Sequence, residues 1–286
     1  MENKRLKICL LSYRSNPRSG GQGVYIKFLS KALVDLGHQV DVISSEPFPE
    51  LDSSVKLIKI FGLNLFEKGN HVTALRFKHL FSFTDFFEWL SMLTGGFAEP
   101  YTFGRRVLKY LKNNHADYDI IHDNQSLSYA LISLKKKGWP VFATIHHPIS
   151  LDLKIALDHE KRWQYKFLIN RWHYFLRMQK RVARQIDHIV TVSESSKKDI
   201  TRDFNVAKEN ITVVNNGIDT EIFKPLPQIE RVAETIMTTS SADSPLKGLP
   251  YLLKAVAGLT EEFPNLHLNI LGKLNEGGTA SKLIEE

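Results

Sequence analysis

The chain has 286 residues, of which 43% are apolar, and a formal net charge of +7. This length suits about two domains of roughly 150 residues each. The excess of basic over acidic residues favours anionic partners such as phosphates, nucleotides or acidic lipid surfaces. The single cysteine excludes an internal disulfide, and no apolar run approaches the roughly 20 residues of a transmembrane helix. We therefore expect a cytoplasmic protein, with the inner face of the membrane as one candidate partner.

Short β-rich runs alternate with helical patterns from the N-terminus onwards. Residues 6–11 predict a first strand, and a loop rich in Ser, Asn, Pro and Gly leads to a helix that ends near Gly37. Further elements follow in chain order: strands at 39–43 and 55–60, helices at 73–93 and 105–111, a strand at 118–122, a helix at 126–137 and a strand at 141–145.

A second series of elements continues the same rhythm. It comprises a long helix at 161–184, a strand at 188–192, a helix to residue 204 with Ser193 as its N-cap, a strand at 211–214 and a tight turn at 215–217. The alternation predicts an α/β fold with a mostly parallel sheet covered by helices on both faces. We assign residues 1–224 to this Rossmann-like domain.

Pro225 and Pro227 indicate a linker to a second α/β domain at 225–286. A strand at 235–239, a helix at 249–259 and a strand at 266–271 begin it. We expect this domain to be incomplete, because two parallel strands with so few helices leave the faces of the sheet uncovered.

A glycine-rich loop follows the first strand and opens the first helix. It consists of Gly20, Gly21, Gln22 and Gly23. Glycines let a backbone approach a ligand closely, and a helix N-terminus attracts anions, so we predict a loop that binds phosphate or another anion; a plain turn is the alternative. The third glycine of a dinucleotide fingerprint would fall at Ile26, which argues against a nicotinamide oxidoreductase, the weakest alternative.

Two strand ends carry histidines. His146 and His147 follow the strand at 141–145, while His122 ends the strand at 118–122 and Asn124 follows it two residues later. Ligands of open α/β sheets lie outside the carboxyl ends of the strands, where a histidine can bind a sugar hydroxyl or transfer a proton. The alternative is that these are loop histidines with ordinary hydrogen-bond partners.

A lysine–glycine pair, Lys247-Gly248, precedes the helix at 249–259. A lysine beside a helix N-terminus can hold a diphosphate by its charge and by backbone N–H groups together. A surface lysine with no ligand is the alternative.

Taken in order, these motifs resemble glycosyltransferase family 4, the retaining enzymes of GT-B fold. The resemblance covers nearly the whole chain and rests on the glycine loop and five further segments: Leu36-Gly37-His38-Gln39-Val40, Asp119-Ile120-Ile121-His122, Thr144-Ile145-His146, Asn215-Asn216-Gly217-Ile218-Asp219 and Lys247-Gly248 through Ala255. It implies transfer of a sugar from a nucleoside diphosphate sugar, with retained anomeric configuration and with neither a metal nor a cofactor. The implied acceptor is a cell-envelope glycan or lipid.

The resemblance also implies roles for particular residues. His146 is the expected catalytic residue, and His122, Asn124 and His147 would line the sugar pocket. The acceptor would lie near the loop of Gly20, Gly21, Gln22 and Gly23, and Lys247 and Gly248 would hold the donor diphosphate. We expect Gly23→Val to abolish ligand binding and leave the fold intact. The family's E-x7-E segment would lie beyond residue 286, so we expect the chain alone to be inactive or incomplete; a non-catalytic module that binds an acceptor or partner is the alternative function.

Residues 154–184 combine nine basic side chains with interleaved aromatic ones. Such a segment can lie on an anionic membrane. The alternative is that the aromatic side chains are core and the charges form a solvated face. We do not expect nucleic acid as a partner, because no recognised binding motif accompanies the charge.

Overall fold

The structure, a computed structural model, describes residues 4–18, 20–67, 71, 77–114, 117–239, 248–272 and 278–285. The chain divides into two compact units, Met1–Asn216 and Gly217–Glu286. The division falls eight residues before the boundary expected at 224–225.

The first unit contains a parallel seven-stranded sheet. Its strands are β1 (Lys7–Ser12), β2 (Gln39–Ser44), β3 (Lys56–Lys59), β4 (Ile120–Asn124), β5 (Val141–Thr144), β6 (His188–Thr191) and β7 (Ile211–Val213). They lie side by side in the order β3-β2-β1-β4-β5-β6-β7. The order reverses direction between β1 and β4, and in open α/β sheets the ligand crevice opens at such a switch point.

Helices cover both faces of this sheet, as predicted. They are α1 (Gly21–Asp35), α2 (Phe83–Leu93), α3 (Glu99–Asn113), α4 (Tyr129–Lys136), α5 (Ser150–His159), α6 (Trp163–Trp172), α7 (Leu176–Ala183) and α8 (Glu194–Phe204). On one face Ile26 of α1 packs with Leu10 and Val42. On the other, Val107 and Leu131 belong to the larger core with Ile121. Burial on both faces is what a parallel sheet requires.

The second unit contains a parallel pair of strands, β8 (Thr235–Thr239) and β9 (His267–Leu271), with helices α9 (Leu249–Leu259) and α10 (Thr279–Glu285). The predicted strand at 235–239 and helix at 249–259 are confirmed with the expected bounds. The N-cap prediction is also confirmed, because the Ser193 hydroxyl accepts a hydrogen bond from the backbone N–H of Ser196 at the start of α8.

The helix predicted at 73–93 is wrong in its extent. Residues 72–76 lie outside the described part of the chain, and a 3-10 helix occupies Phe77–Phe81. The α-helix begins only at Phe83, because the Ser82 side chain caps it by accepting a hydrogen bond from Asp85 N–H.

The single long helix predicted at 161–184 is also wrong. A 3-10 helix at His173–Phe175 separates α6 from α7. In a 3-10 helix residues three apart lie above one another, and here Trp172 and Phe175 both contact the Phe97 ring, with centroids at 5.0 and 5.6 Å. The break thus follows from aromatic packing that links α6 and α7 to the segment before α3.

The turn predicted at 215–217 is wrong as well, because the structure has no turn at these three residues. The chain turns later, where Phe223 N–H donates to the Asp219 carbonyl at 2.9 Å. The Asp219 carboxylate accepts the N–H of Glu221 at 2.9 Å, an Asx-type contact that fixes the turn at this aspartate.

Candidate functional site

The predicted site residues meet at the switch point of the seven-stranded sheet. Ser12 ends β1 and Asn124 ends β4. The Asn124 amide nitrogen donates to Ser12 Oγ at 3.2 Å and to the carbonyl oxygen of Gln22 at 3.4 Å. One side chain therefore joins the end of β4 to the glycine loop.

The glycine loop exposes backbone at the start of α1. Gly20 is the N-cap residue with φ 77°, no side chain caps the helix, and the first turn holds no acidic residue. The first N–H groups of a helix have no intrahelical partner. Around Gly20 and Gly21 a Cβ atom would meet nothing within 4 Å, so a ligand has room beside these donors.

Gly23 has a different role from its neighbours. A Cβ atom there would lie 2.2 Å from the Asn16 carbonyl oxygen and 2.6 Å from that of Ser15. Because both contacts are backbone atoms, the loop itself would have to move. The expectation that Gly23→Val leaves the fold intact is therefore wrong, and Gly21 is the better position for testing the loop.

His146 is held by Asn124 in one tautomer. The His146 Nε2 atom lies 2.8 Å from Asn124 Oδ1. Because the Gln22 carbonyl oxygen only accepts hydrogen bonds, the Asn124 nitrogen faces it and Oδ1 faces the imidazole. Nε2 of His146 thus carries the proton, which leaves Nδ1 as an acceptor for a ligand hydroxyl.

Burial keeps this imidazole neutral. It lowers the pKa of His146 to about 4, with a smaller contribution from His147. The His146 backbone N–H donates to Gln125 Oε1 at 2.8 Å. A base with so low a pKa is poorly matched to proton abstraction near neutral pH, so the neutral imidazole is better suited to hydrogen bonding than to general-base chemistry.

A second set of contacts connects His122 to the same ring. The Thr144 hydroxyl lies 2.8 Å from His122 Nε2 and 3.2 Å from the Tyr25 hydroxyl. The Tyr25 ring in turn packs edge-on against His146, with centroids 4.6 Å apart. Burial, followed by the neighbouring His146, lowers the pKa of His122 to about 4, so both imidazoles are uncharged near pH 7.

Sequence reasoning missed three contributors to this site: Tyr25, Thr144 and Gln125. Tyr25 recurs with the apolar residues of α1 at helical spacing, a pattern that indicates packing and not a polar contact. Gln125 adopts φ 57°, and its side-chain nitrogen donates to the His147 carbonyl at 2.8 Å. A left-handed glutamine between two site loops is a strained feature of the kind found at binding sites, but no sequence signal marks it.

The buried carboxyl of Asp123 fixes the loop that follows β4. It accepts hydrogen bonds from the Ser126 hydroxyl and, at 2.8 Å, from the Leu127 N–H. Burial nevertheless raises the pKa of Asp123 to about 6. This residue holds the loop that carries Asn124 and Gln125.

His147 does not join these contacts through its side chain. Its imidazole is largely exposed, and Nε2 lies 3.5 Å from Asp152 of α5. The hydrogen bond with Asp152 raises the pKa of His147. The structure thus brings together Gln22, His122, Asn124 and His146, and leaves His147 at the margin.

On the donor side, Lys247 lies outside the described residues, while Gly248 is the N-cap of α9 with φ 68° and open space around its Cα.

Across the described ranges, no group of three or more His, Cys, Asp or Glu side chains is arranged to hold a metal ion. In the same ranges no helix has the length and apolar character needed to cross a membrane.

Comparison with known proteins identifies the family. The sequence profile of Glycosyltransferase Family 4 matches residues 19–222, which include every site residue of the first unit. The chain belongs to glycosyltransferase family 4. It is similar to the MMP alpha-(1->4)-mannosyltransferase of Mycolicibacterium hassiacum, with 43% identity over 98% of this chain and 68% of that protein.

More distant members of the family agree. The D-inositol 3-phosphate glycosyltransferase of Thermobispora bispora is 23% identical over 88% of this chain and 56% of its own length. Among solved structures, WaaG, a glycosyltransferase involved in lipopolysaccharide biosynthesis, superposes with a TM-score of 0.62 at 15% identity, covering 96% of this chain and 67% of WaaG. TarM gives 0.60 at 12% identity, covering 99% of this chain and 74% of TarM. The fold is therefore α/β of the GT-B type, and the family's chemistry is glycosyl transfer.

Proposed function

We propose that this family 4 chain transfers a mannosyl residue from a nucleoside diphosphate sugar to a cell-envelope glycan or lipid, forming an α-(1→4) linkage with retention. The relative at 43% identity, by its name an alpha-(1->4)-mannosyltransferase, supports the sugar and the linkage. The proposal rests on one observation: the hydrogen bonds that join Gln22, Asn124 and His146 at the switch point.

In this account the first unit binds the acceptor. The exposed backbone of Gly20 and Gly21 lies against an acceptor hydroxyl or phosphate, and His146 Nδ1 accepts a hydrogen bond from a sugar hydroxyl. His122 acts through Thr144 and Tyr25, which support the His146 ring. Such preorganised contacts lower the barrier by fixing the reacting groups in position.

The donor is assigned to the second unit. Gly248 begins α9 in a left-handed conformation that exposes backbone, and Lys247 precedes it in sequence. Charge from the lysine and N–H groups from the helix would stabilise the leaving diphosphate. The proposed chemistry requires no metal, because these groups neutralise the developing negative charge.

An anionic membrane is proposed as a further partner, through residues 154–184. Helix α6 contains no buried residue, and the side chains of Trp163 and Phe167 are 75% and 65% exposed. Of the six aromatic residues at 163–175, Phe175 is buried and Trp172 packs on the Phe97 ring. The alternative that these side chains are core therefore holds at this end of the segment but not for the exposed Trp163 and Phe167. A cell-envelope acceptor and a location at the inner face of the membrane would fit such a surface.

A transfer assay tests this function. The complete protein is incubated with GDP-, UDP- and ADP-linked sugars and a methyl α-mannoside, and the product linkage and anomeric configuration are read by NMR. We expect an α-(1→4)-mannoside, and we expect His146→Ala to slow its formation about tenfold or more, the value of one lost hydrogen bond in the transition state.

His159→Ala, at the exposed end of α5, is the matched control and should transfer at the wild-type rate. Acceptor binding without transfer from any donor would instead favour the alternative, a non-catalytic binding module. If His146→Ala transfers sugar at the wild-type rate, His146 is not part of the site.

A further inference from the structure

A groove of about 410 Å³ lies between α5, α6 and α7, within the basic segment that sugar transfer leaves unexplained. Its volume is in the range of small-ligand sites. Apolar and aromatic side chains form part of its walls: Leu153, Phe167, Tyr174 and Leu176. The groove can therefore accept a ligand with an apolar or ring-shaped part.

The charge of the groove has one sign. Arg171, Arg177 and Lys180 line it, and no carboxylate is among its described lining residues. None of these three cations forms an ion pair within the described ranges of the chain. Like charges at helical spacing repel, so the arrangement costs stability unless an anion is bound.

Each cation is held in a definite position. The Arg177 guanidinium lies over the Tyr174 ring, 4.8 Å from its centroid, and Lys180 Nζ lies over the Phe204 ring at 5.9 Å. Arg171 donates from Nη2 to the Thr94 hydroxyl at 2.9 Å and to the Ser91 hydroxyl at 3.4 Å, which leaves the N–H groups of Nε and Nη1 as donors for a ligand. Positioned donors bind an anion at a lower entropic cost than mobile ones do.

Asp203 is the carboxylate that interacts with this set of cations, but other groups already engage it. It accepts hydrogen bonds from Arg202 Nε at 2.6 Å and from the Ser150 hydroxyl at 2.5 Å. The hydrogen bond with Arg202 is the main cause that lowers the pKa of Asp203, and Lys180 contributes least. Asp203 therefore leaves most of the positive charge of the groove uncompensated.

We propose that this groove binds the phosphate of an organic ligand, with the ligand's apolar or ring part against Phe167 and Tyr174. A phosphate monoester brings about two negative charges and three acceptor oxygens, which match three cationic donors better than one carboxylate does. Ser150, which lines the groove, follows His146 by four residues. The Cα atoms of these two residues are therefore at most about 14 Å apart. The phosphate can belong to a soluble ester or to a lipid headgroup.

The test is a binding titration of the full chain without any sugar donor. The probes are inorganic phosphate, phenyl phosphate, and vesicles of phosphatidylcholine with or without phosphatidylglycerol. The double variant Arg177→Gln/Lys180→Gln removes two of the three cations. Lys109→Gln/Lys112→Gln is the matched control, because these two lysines have the same spacing, the same charge and exposed positions on α3.

We expect the groove variant to bind phosphate and phenyl phosphate about ten- to a hundredfold more weakly and the control variant to match the wild type. Phe167→Ala should weaken the binding of phenyl phosphate and leave the binding of inorganic phosphate unchanged. If only vesicles with phosphatidylglycerol bind, and the groove variant alone loses that binding, the phosphate is that of a lipid headgroup. The proposal is overturned if both double variants bind every probe alike, or if vesicle binding survives in the groove variant and no soluble phosphate binds.

Discussion

At the scale of single residues, the decisive contact is the hydrogen bond between His146 and Asn124. Asn124 has no freedom to turn its amide, because its nitrogen is committed to the Gln22 carbonyl. The imidazole is therefore locked with its acceptor nitrogen, Nδ1, available to a ligand. A buried amide can fix a histidine tautomer in this way without adding charge.

This geometry predicts the protonation behaviour of His146. Nitrogen-15 NMR of the imidazole should show the Nε2–H tautomer throughout pH 6–8, because burial lowers the pKa of His146 to about 4. Since the pKa is depressed, the imidazole takes up a proton only as the pH falls towards 4. Acceptor binding should therefore weaken on acidification, first as Asp123 takes up a proton near pH 6 and then as His146 does so near pH 4.

Asn124→Asp should raise the pKa of His146, because a carboxylate within hydrogen-bond distance stabilises the imidazolium. A titration midpoint near 6.5 in the wild type, or a protonated Nδ1, would contradict this assignment.

At the scale of elements, the glycine loop and α1 behave as one unit with two functions. Gly20 and Gly21 open the backbone to a ligand, while Gly23 lets the helix pack against the carbonyl groups of Ser15 and Asn16. The motif is therefore divided between binding and packing.

Paired alanine substitutions separate these functions. Gly23→Ala should lower the free energy of unfolding by about 1–3 kcal/mol, the usual cost of forcing extra volume into packed structure, as measured by urea denaturation. Gly21→Ala should change it by no more than about 0.5 kcal/mol, because the added methyl group meets open space. Equal effects of the two substitutions would contradict the division.

The helices also show which elements local sequence signals predict and which ones hydrophobic periodicity does not predict. The helical spacing of α1 and the serine cap of α8 are local signals, and the structure confirms both. Helix α5 was missed because the apolar residues at 151, 153, 155 and 157 alternate with other residues, the period of a strand. The break between α6 and α7 depends on contacts with Phe97, which local spacing does not record.

At the scale of the whole molecule, the sheet order places the site. The alternation of strands and helices predicted a parallel sheet covered on both faces, and strand ends carrying glycines and histidines predicted one shared edge. The pairing of β1 with β4 could not be predicted from the sequence, because more than 100 residues separate the two strands along the chain. That pairing brings Ser12 and Asn124 together and creates the crevice.

The measurement that tests this account most directly is an NMR titration of the full chain with a methyl α-mannoside disaccharide. We predict that the resonances of Gly21 and His146 shift together with one dissociation constant. Both Gly21→Val and His146→Ala should weaken binding about tenfold or more, while His159→Ala leaves it unchanged. Shifts confined to only one of the two residues, or wild-type affinity in either site variant, would contradict a single acceptor site at the switch point.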